Sequence, residues 1–191
     1  MKYSVEWLKN ELALGRITDY FGFFGTKKES EFNKSFSNFY YSPMVTTLYN
    51  GESYTFGCNE QYFMYRKAIE FKDYIIADKM LQPNLNPFTY KKLGRQVKDY
   101  DENHWNSVRY AIMYEGLKLK YSQNPTIAEY LLSTEDKIIV EASPYDGVWG
   151  VKLGLTTITG ARSNLWKFPK QWKGNNLLGF ALMELRDELQ E

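Results

Sequence analysis

The chain has 191 residues, enough for one domain with a real core, and its 24 basic and 23 acidic side chains leave a net charge of +1, which argues against a general binder of nucleic acid or anionic lipid. Cys58 is the only cysteine and His104 the only histidine, so an intramolecular disulfide is excluded, a zinc site, a Ser-His-Asp triad or a Cys-His pair has at most one imidazole to share, and a reducing, cytoplasmic compartment is expected. No stretch approaches the roughly 18 apolar residues of a membrane span, and neither a metal nor another cofactor is expected.

In chain order, Val5 to Leu14 predicts a short amphipathic helix ended by Gly15, and Tyr20 to Gly25 a strand interrupted by glycines. A charged loop is expected from residue 26 to 34. Phe36 to Pro43 gathers aromatics around Ser37-Asn38, and Met44 to Tyr49 is a β-branched strand closed by the turn signal Asn50-Gly51. Asn59 to Phe71 predicts a helix. Tyr74 to Leu81 predicts another, stopped near Pro83, followed by a loop through Pro87 and the segment Phe88 to Val97.

Trp105, Val108, Ile112, Gly116 and Leu119 recur at helical spacing and predict a long helix ending at Asn124-Pro125, with His104 at its start. A shorter helix follows over residues 126 to 132. Lys137 to Ala142 then predicts a short strand and Ser143 to Gly150 an irregular loop. Residues 156 to 173 lack periodicity and are expected to be an inserted loop, after which Asn175-Asn176 offers an N-cap to a last helix carrying Leu178, Ala181, Leu182, Leu185 and Leu189 on one face. The class expected is α+β, predominantly helical, with a few short strands.

Within the helix from Asn59, a rotation of about 100° per residue puts Glu60, Met64, Lys67 and Phe71 on one side, so two charges share a stripe with hydrophobes. A lysine in such a stripe has its neutral amine favoured by desolvation, which makes it a nucleophile able to form a Schiff base. The competing reading is a buried Glu60–Lys67 pair that fixes helix geometry. Other polar groups exceed what packing requires: Asn38, Arg95 after Gly94, Glu141, Asp146, Trp149 between Gly147 and Gly150, and Asn176. Arg95 can fork onto a phosphate, Asn38 and Asn176 can hold sugar hydroxyls, and the flat ring of Trp149 beside Gly150 can approach a base.

The order of these pieces resembles the NADAR family, also called YbiA-like. That family's pattern runs SNF, then E-Q/H-Y/F with a lysine farther along, then GR, then a Trp opening a helix that ends in KF or KY, then LVE with a downstream D-x-x-WG, then GxNxLG and LMxxR. The matching residues are Phe36 to Pro43, Glu60 to Ala68, Gly94-Arg95, Trp105 to Tyr121, Leu131-Leu132, Ile139 to Gly150 and Asn176 to Arg186. The resemblance implies a single NADAR (YbiA-like) domain over residues 1–191, with an N-terminal extension over 1–20 and an insertion over 156–173. It also implies an enzyme that breaks N-glycosidic bonds between ribose and a base.

One branch of that family acts on ribosylamino-pyrimidine phosphates of riboflavin synthesis, and another removes ADP-ribose from guanine in nucleic acid. Either substrate needs a proton on the departing nitrogen and stabilisation of charge at the anomeric carbon. The resemblance implies Lys67 as nucleophile, and the chemistry of the cleavage makes Glu60, Asp146 and Glu141 the candidates for acid, base and charge-stabilising groups. A phosphorylated ribosyl-base is the expected partner; ADP-ribosylated guanine, favoured by Lys167, Lys170 and Lys173 in the insertion, is the alternative. A nucleotide-binding module without catalysis is the third reading.

Overall fold

In a computed structural model, residues 1–17, 19–25, 29–83, 85–156 and 163–191 are described. They form an α+β architecture in which helix predominates, divided into two compact units, residues 1–37 with 126–191 and residues 38–125.

In the first unit, β1 (Tyr20–Phe23) pairs in parallel with β4 (Ile138–Glu141), in register from Tyr20 opposite Ile138 to Phe23 opposite Glu141. The strand pattern Ile138-Ile139-Val140 is apolar throughout and buried throughout, as expected for a strand covered on both faces. α8 (Leu177–Gln190) packs on β4, and its stripe of Leu178, Ala181, Leu182 and Leu185 is buried. α8 also holds the buried Arg186, whose Nη1 donates to Thr134 Oγ1 at 2.8 Å and the Lys137 carbonyl at 2.9 Å, pinning the turn between α7 (Pro125–Leu132) and β4.

α1 (Val5–Ala13) is capped by Ser4, whose Oγ accepts the Trp7 N–H. The Tyr3 hydroxyl donates to Asp187 of α8 at 2.6 Å. The charged loop expected from residue 26 contains one helical turn, α2 (Glu31–Lys34), capped by Ser30, while residues 26–28 lie outside the described residues. It brings Phe32 and Phe36 against Phe21 with centroids 5.3 and 4.6 Å away.

The expected insertion is better built than its lack of periodicity suggests. Two 3₁₀ turns, Leu165–Lys167 and Pro169–Gln171, hold Trp166 in the core, and a Cβ at Gly22 would lie 2.7 Å from that indole. Residues 157–162 are outside the described set.

In the second unit, β2 (Met44–Thr47) and β3 (Ser53–Phe56) form an antiparallel hairpin around Asn50-Gly51, with Gly51 at φ +86°. α3 (Asn59–Glu70) packs against α4 (Tyr74–Met80), α5 (Pro87–Gly94) and α6 (Glu102–Ser122). Pro87, expected to close a loop, instead opens α5 from its first turn under an Asn86 cap, where a missing N–H is harmless. α6 begins earlier than Trp105 because the Asp101 carboxylate caps it, accepting the His104 N–H at 2.7 Å. Among the described residues no helix is long and apolar enough to cross a membrane.

Candidate active site

α3 carries the first group of polar residues. Its start is fixed by Asn38, whose carbonyl accepts the Glu60 N–H at 3.0 Å and whose Oδ1 accepts from Asn59 Nδ2 at 2.9 Å. Asn38 is 8% exposed and its carboxamide is engaged with the protein's own groups, which positions the start of α3. Asn59 can enter α3 so deeply because α6 presents Gly116 there; a Cβ would lie 2.1 Å from Asn59 Oδ1. Glu60 is buried in the first helical turn, at the end of the helix dipole that favours negative charge.

Two turns on, half-buried Lys67 sends its Nζ to the Gly94 carbonyl at 2.9 Å. The same nitrogen lies 4.3 Å from the Tyr100 ring centroid and 5.6 Å from that of Trp105. Burial lowers the Lys67 pKa from its ordinary value, so more neutral amine is present than on a solvated lysine. The helix bearing Gly94 comes this close because it lacks a side chain: a Cβ there would lie 2.2 Å from Met64 Sδ. This accounts physically for a Gly-Arg pair opposite the lysine. Arg95 follows Gly94 as the C-cap of α5 and is exposed. Trp105 packs with Phe63 at 5.2 Å and Phe71 at 6.4 Å, and also faces the amine.

The first unit carries the other group. Asp146 Oδ1 accepts the N–H groups of Val148 and Trp149, each at 2.8 Å, and its own N–H goes to Ser143 Oγ at 3.2 Å. This Asx turn bends the chain so that the carbonyls of Val148 and Trp149 accept the Leu177 and Leu178 N–H groups that open α8. Gly150 is buried against the same strand end, a Cβ there lying 2.9 Å from the Glu141 carbonyl.

With the helix start served by that loop, Asn176 has no capping bond to make. It sits at φ +53°, fully buried, and its carboxamide reads the edge of β4: Oδ1 accepts the Glu141 N–H at 3.0 Å and Nδ2 donates to the Ile139 carbonyl at 2.9 Å. The carboxamide thus holds the strand end that carries Glu141. Gly179 lets α8 press this close, since a Cβ would lie 2.1 Å from the Ile139 carbonyl.

The structure thus places Glu60, Lys67, Asn38 and Arg95 in one unit and Glu141, Asp146, Trp149, Gly150 and Asn176 in the other. The single histidine and the single cysteine are accounted for locally. His104 Nε2 pairs with Glu70 at 2.6 Å, and burial pushes the Cys58 thiol up to about 11, which makes it inert. Sequence reasoning missed Tyr100 and Lys120. Lys120 is fully buried on α6, with its pKa lowered to about 7 by desolvation. It occupies an apolar stripe with Met113, Gly116 and Leu117, the same signal that singled out Lys67. Among the described residues no group of three or more His, Cys, Asp or Glu side chains is placed to hold a metal ion.

A family model described as the NADAR domain matches residues 23–190, which draws on both units. The N-glycosidase R617 of Acanthamoeba polyphaga mimivirus is 37% identical over 143 residues, covering 74% of this chain and 80% of that protein. The chloroplastic riboflavin biosynthesis protein PYRR of Zea mays is 30% identical over 161 residues, 81% of this chain and 23% of that one. The NMR structure of the E. coli protein YbiA superimposes with a TM-score of 0.66 at 25% identity, covering 91% of this chain and 86% of that chain.

Proposed function

We propose a substrate and a division of labour for this chain, which belongs to the NADAR family and is a hydrolase acting on N-glycosyl compounds. The substrate is a phosphorylated ribosyl-base, of the ribosylamino-pyrimidine phosphate type formed in riboflavin synthesis. The relative named as a riboflavin biosynthesis protein supports that substrate class. The observation that carries the chemistry is the half-buried Lys67 amine, with its lowered pKa, held by the Gly94 carbonyl.

In this reading the Lys67 lone pair forms a bond to the anomeric carbon while the bond to the base breaks and its electrons pass to the base nitrogen. That nitrogen takes a proton from a carboxylic acid, a role assigned to Glu60 or Asp146. The ring oxygen then leaves the same carbon, taking the proton that the new ammonium loses, and an iminium joins sugar to lysine. Water added with the help of a carboxylate base releases the free sugar and regenerates the amine. Glu141 stabilises the developing positive charge, and Arg95, exposed beside the Gly94 carbonyl, takes the phosphate. The residues act as parts of one NADAR domain spanning 1–191.

The test offers the protein a ribosylamino-pyrimidine phosphate and, separately, guanine-ADP-ribosylated DNA, following release of base or sugar. Cleavage of the small metabolite is expected to be faster, because a net charge of +1 gives little counterion-release drive toward a polyanion. Lys67→Ala should abolish turnover, and borohydride added during turnover should trap the sugar on Lys67. Processing of the DNA alone, lost on shortening residues 156–172, would replace the proposed substrate by ADP-ribosylated guanine. Wild-type turnover by Lys67→Ala would remove the nucleophile.

A further inference from the structure

Lys67 must be neutral to attack and becomes cationic as it does so. Burial serves the first requirement, but burial alone makes the second harder, because a charge forming in a desolvated place lacks water to receive it. The groups around the nitrogen answer this. The Gly94 carbonyl at 2.9 Å accepts an N–H, and the Tyr100 ring lies with its centroid 4.3 Å from the nitrogen, so the carbonyl and the ring together restrict the directions the amine can take. When the nitrogen turns cationic, the same carbonyl and ring, with Trp105 at 5.6 Å, are already oriented toward the charge.

Tyr100 is held for this task from two directions. Its ring packs on Phe71, just past the end of α3, with centroids 5.4 Å apart. Its backbone follows Asp99, in the left-handed conformation at φ +51°, and the segment is tied down where the Lys98 N–H donates to Asp73 Oδ2 at 3.0 Å. Tyr100 is 46% exposed, so its ring stands between the Phe71 contact and the surface, over the lysine nitrogen. We propose that Tyr100 is a positioning residue for the N-glycosidase reaction, orienting the Lys67 amine for attack and stabilising the cation that the nitrogen becomes. This rests on the reading of Lys67 as nucleophile.

The experiment pairs Tyr100→Leu, which removes the ring, with Tyr100→Phe, which keeps it. In ¹³C-labelled protein the Lys67 Cε–Hε resonance, assigned by its loss in Lys67→Arg, should be shifted upfield by the ring current in wild type and Tyr100→Phe. It should move toward the position of surface lysines in Tyr100→Leu, the remaining offset being that of Trp105. Tyr100→Leu should lose roughly tenfold in kcat with KM within about twofold, the equivalent of about 1.4 kcal/mol, and Tyr100→Phe should recover most of it. An unmoved Lys67 resonance, or an unchanged kcat in Tyr100→Leu while Lys67→Ala is inactive, overturns this inference alone. Full turnover by Lys67→Ala overturns the nucleophile and this inference together.

Discussion

Replacing Asn176 by Ala tests how the strand end that carries Glu141 is held. The substitution removes two hydrogen bonds at once and leaves the Glu141 N–H and the Ile139 carbonyl without the partners they have at 3.0 and 2.9 Å. An unsatisfied buried backbone group costs about 1–3 kcal/mol, so the pair costs roughly 2–6 kcal/mol where water cannot enter. Residue 176 is 0% exposed. Its φ of +53° adds about 1 kcal/mol for Ala, which lacks the local side-chain bonds that help Asn there. Asn176→Gly removes the same hydrogen bonds without the backbone strain. Urea unfolding should therefore rank wild type above Asn176→Gly above Asn176→Ala, with the two variants about 1 kcal/mol apart, and amide exchange at Glu141 should accelerate in both. A loss under 1 kcal/mol in Asn176→Ala, with Glu141 exchange unchanged, would refute the reasoning.

Lys120→Met should stabilise the protein and flatten its pH dependence. The folded pKa of Lys120, about 7, lies below its ordinary 10.5, so between these values the folded state binds fewer protons than the unfolded one and stability rises with pH; below about 7 the amine is protonated in both states and the burial penalty is complete. Urea midpoints of both proteins from pH 6 to 10 check this, and parallel curves would show that Lys120 does not titrate there. Asp146→Asn should keep the turn, because an amide Oδ1 can still accept from Val148 and Trp149, while the rate falls by about 10²-fold or more. Asp146→Ala should in addition lose about 1–2 kcal/mol of stability. A rate for Asp146→Asn within a fewfold of wild type would leave Asp146 as a turn residue only.

Local chemistry decided how much of the fold was legible in the sequence. α6 and α8 announce themselves because a helix buried on one side must repeat its apolar residues at helical spacing over many turns. α2, at four residues, is too short to show a period, and β3 (Ser-Tyr-Thr-Phe) buries only Phe56, so neither declares itself without its neighbours. The segment around Trp166 is anchored by one indole against Gly22, a long-range contact that leaves no periodic trace. At the candidate site the sequence shows which residues are polar but not which groups satisfy them. Asn38 and Asn176 stand out as polar groups in excess of packing, yet their carboxamides are engaged by Asn59 and by the edge of β4.

The two lysines carry that distinction further. Lys67 and Lys120 share the same signal, a cation in an apolar helical stripe, and both have lowered pKa values. Desolvation therefore identifies an unusual lysine without identifying a nucleophile. Exposure separates them: Lys120 is at 0%, where an anomeric carbon cannot arrive without local unfolding, whereas Lys67 is half-buried and its exposed neighbour Tyr100 marks the side open to a ligand. A nucleophilic amine needs burial enough to be neutral, access enough to meet a substrate, and fixed dipoles and ring faces for the charge it acquires. Those requirements meet at Lys67 through Gly94, Tyr100 and Trp105, three residues brought to it from beyond α3. The lysine is visible in a helical wheel, but the groups that complete its chemistry come from the packing of α5, α6 and the loop between them.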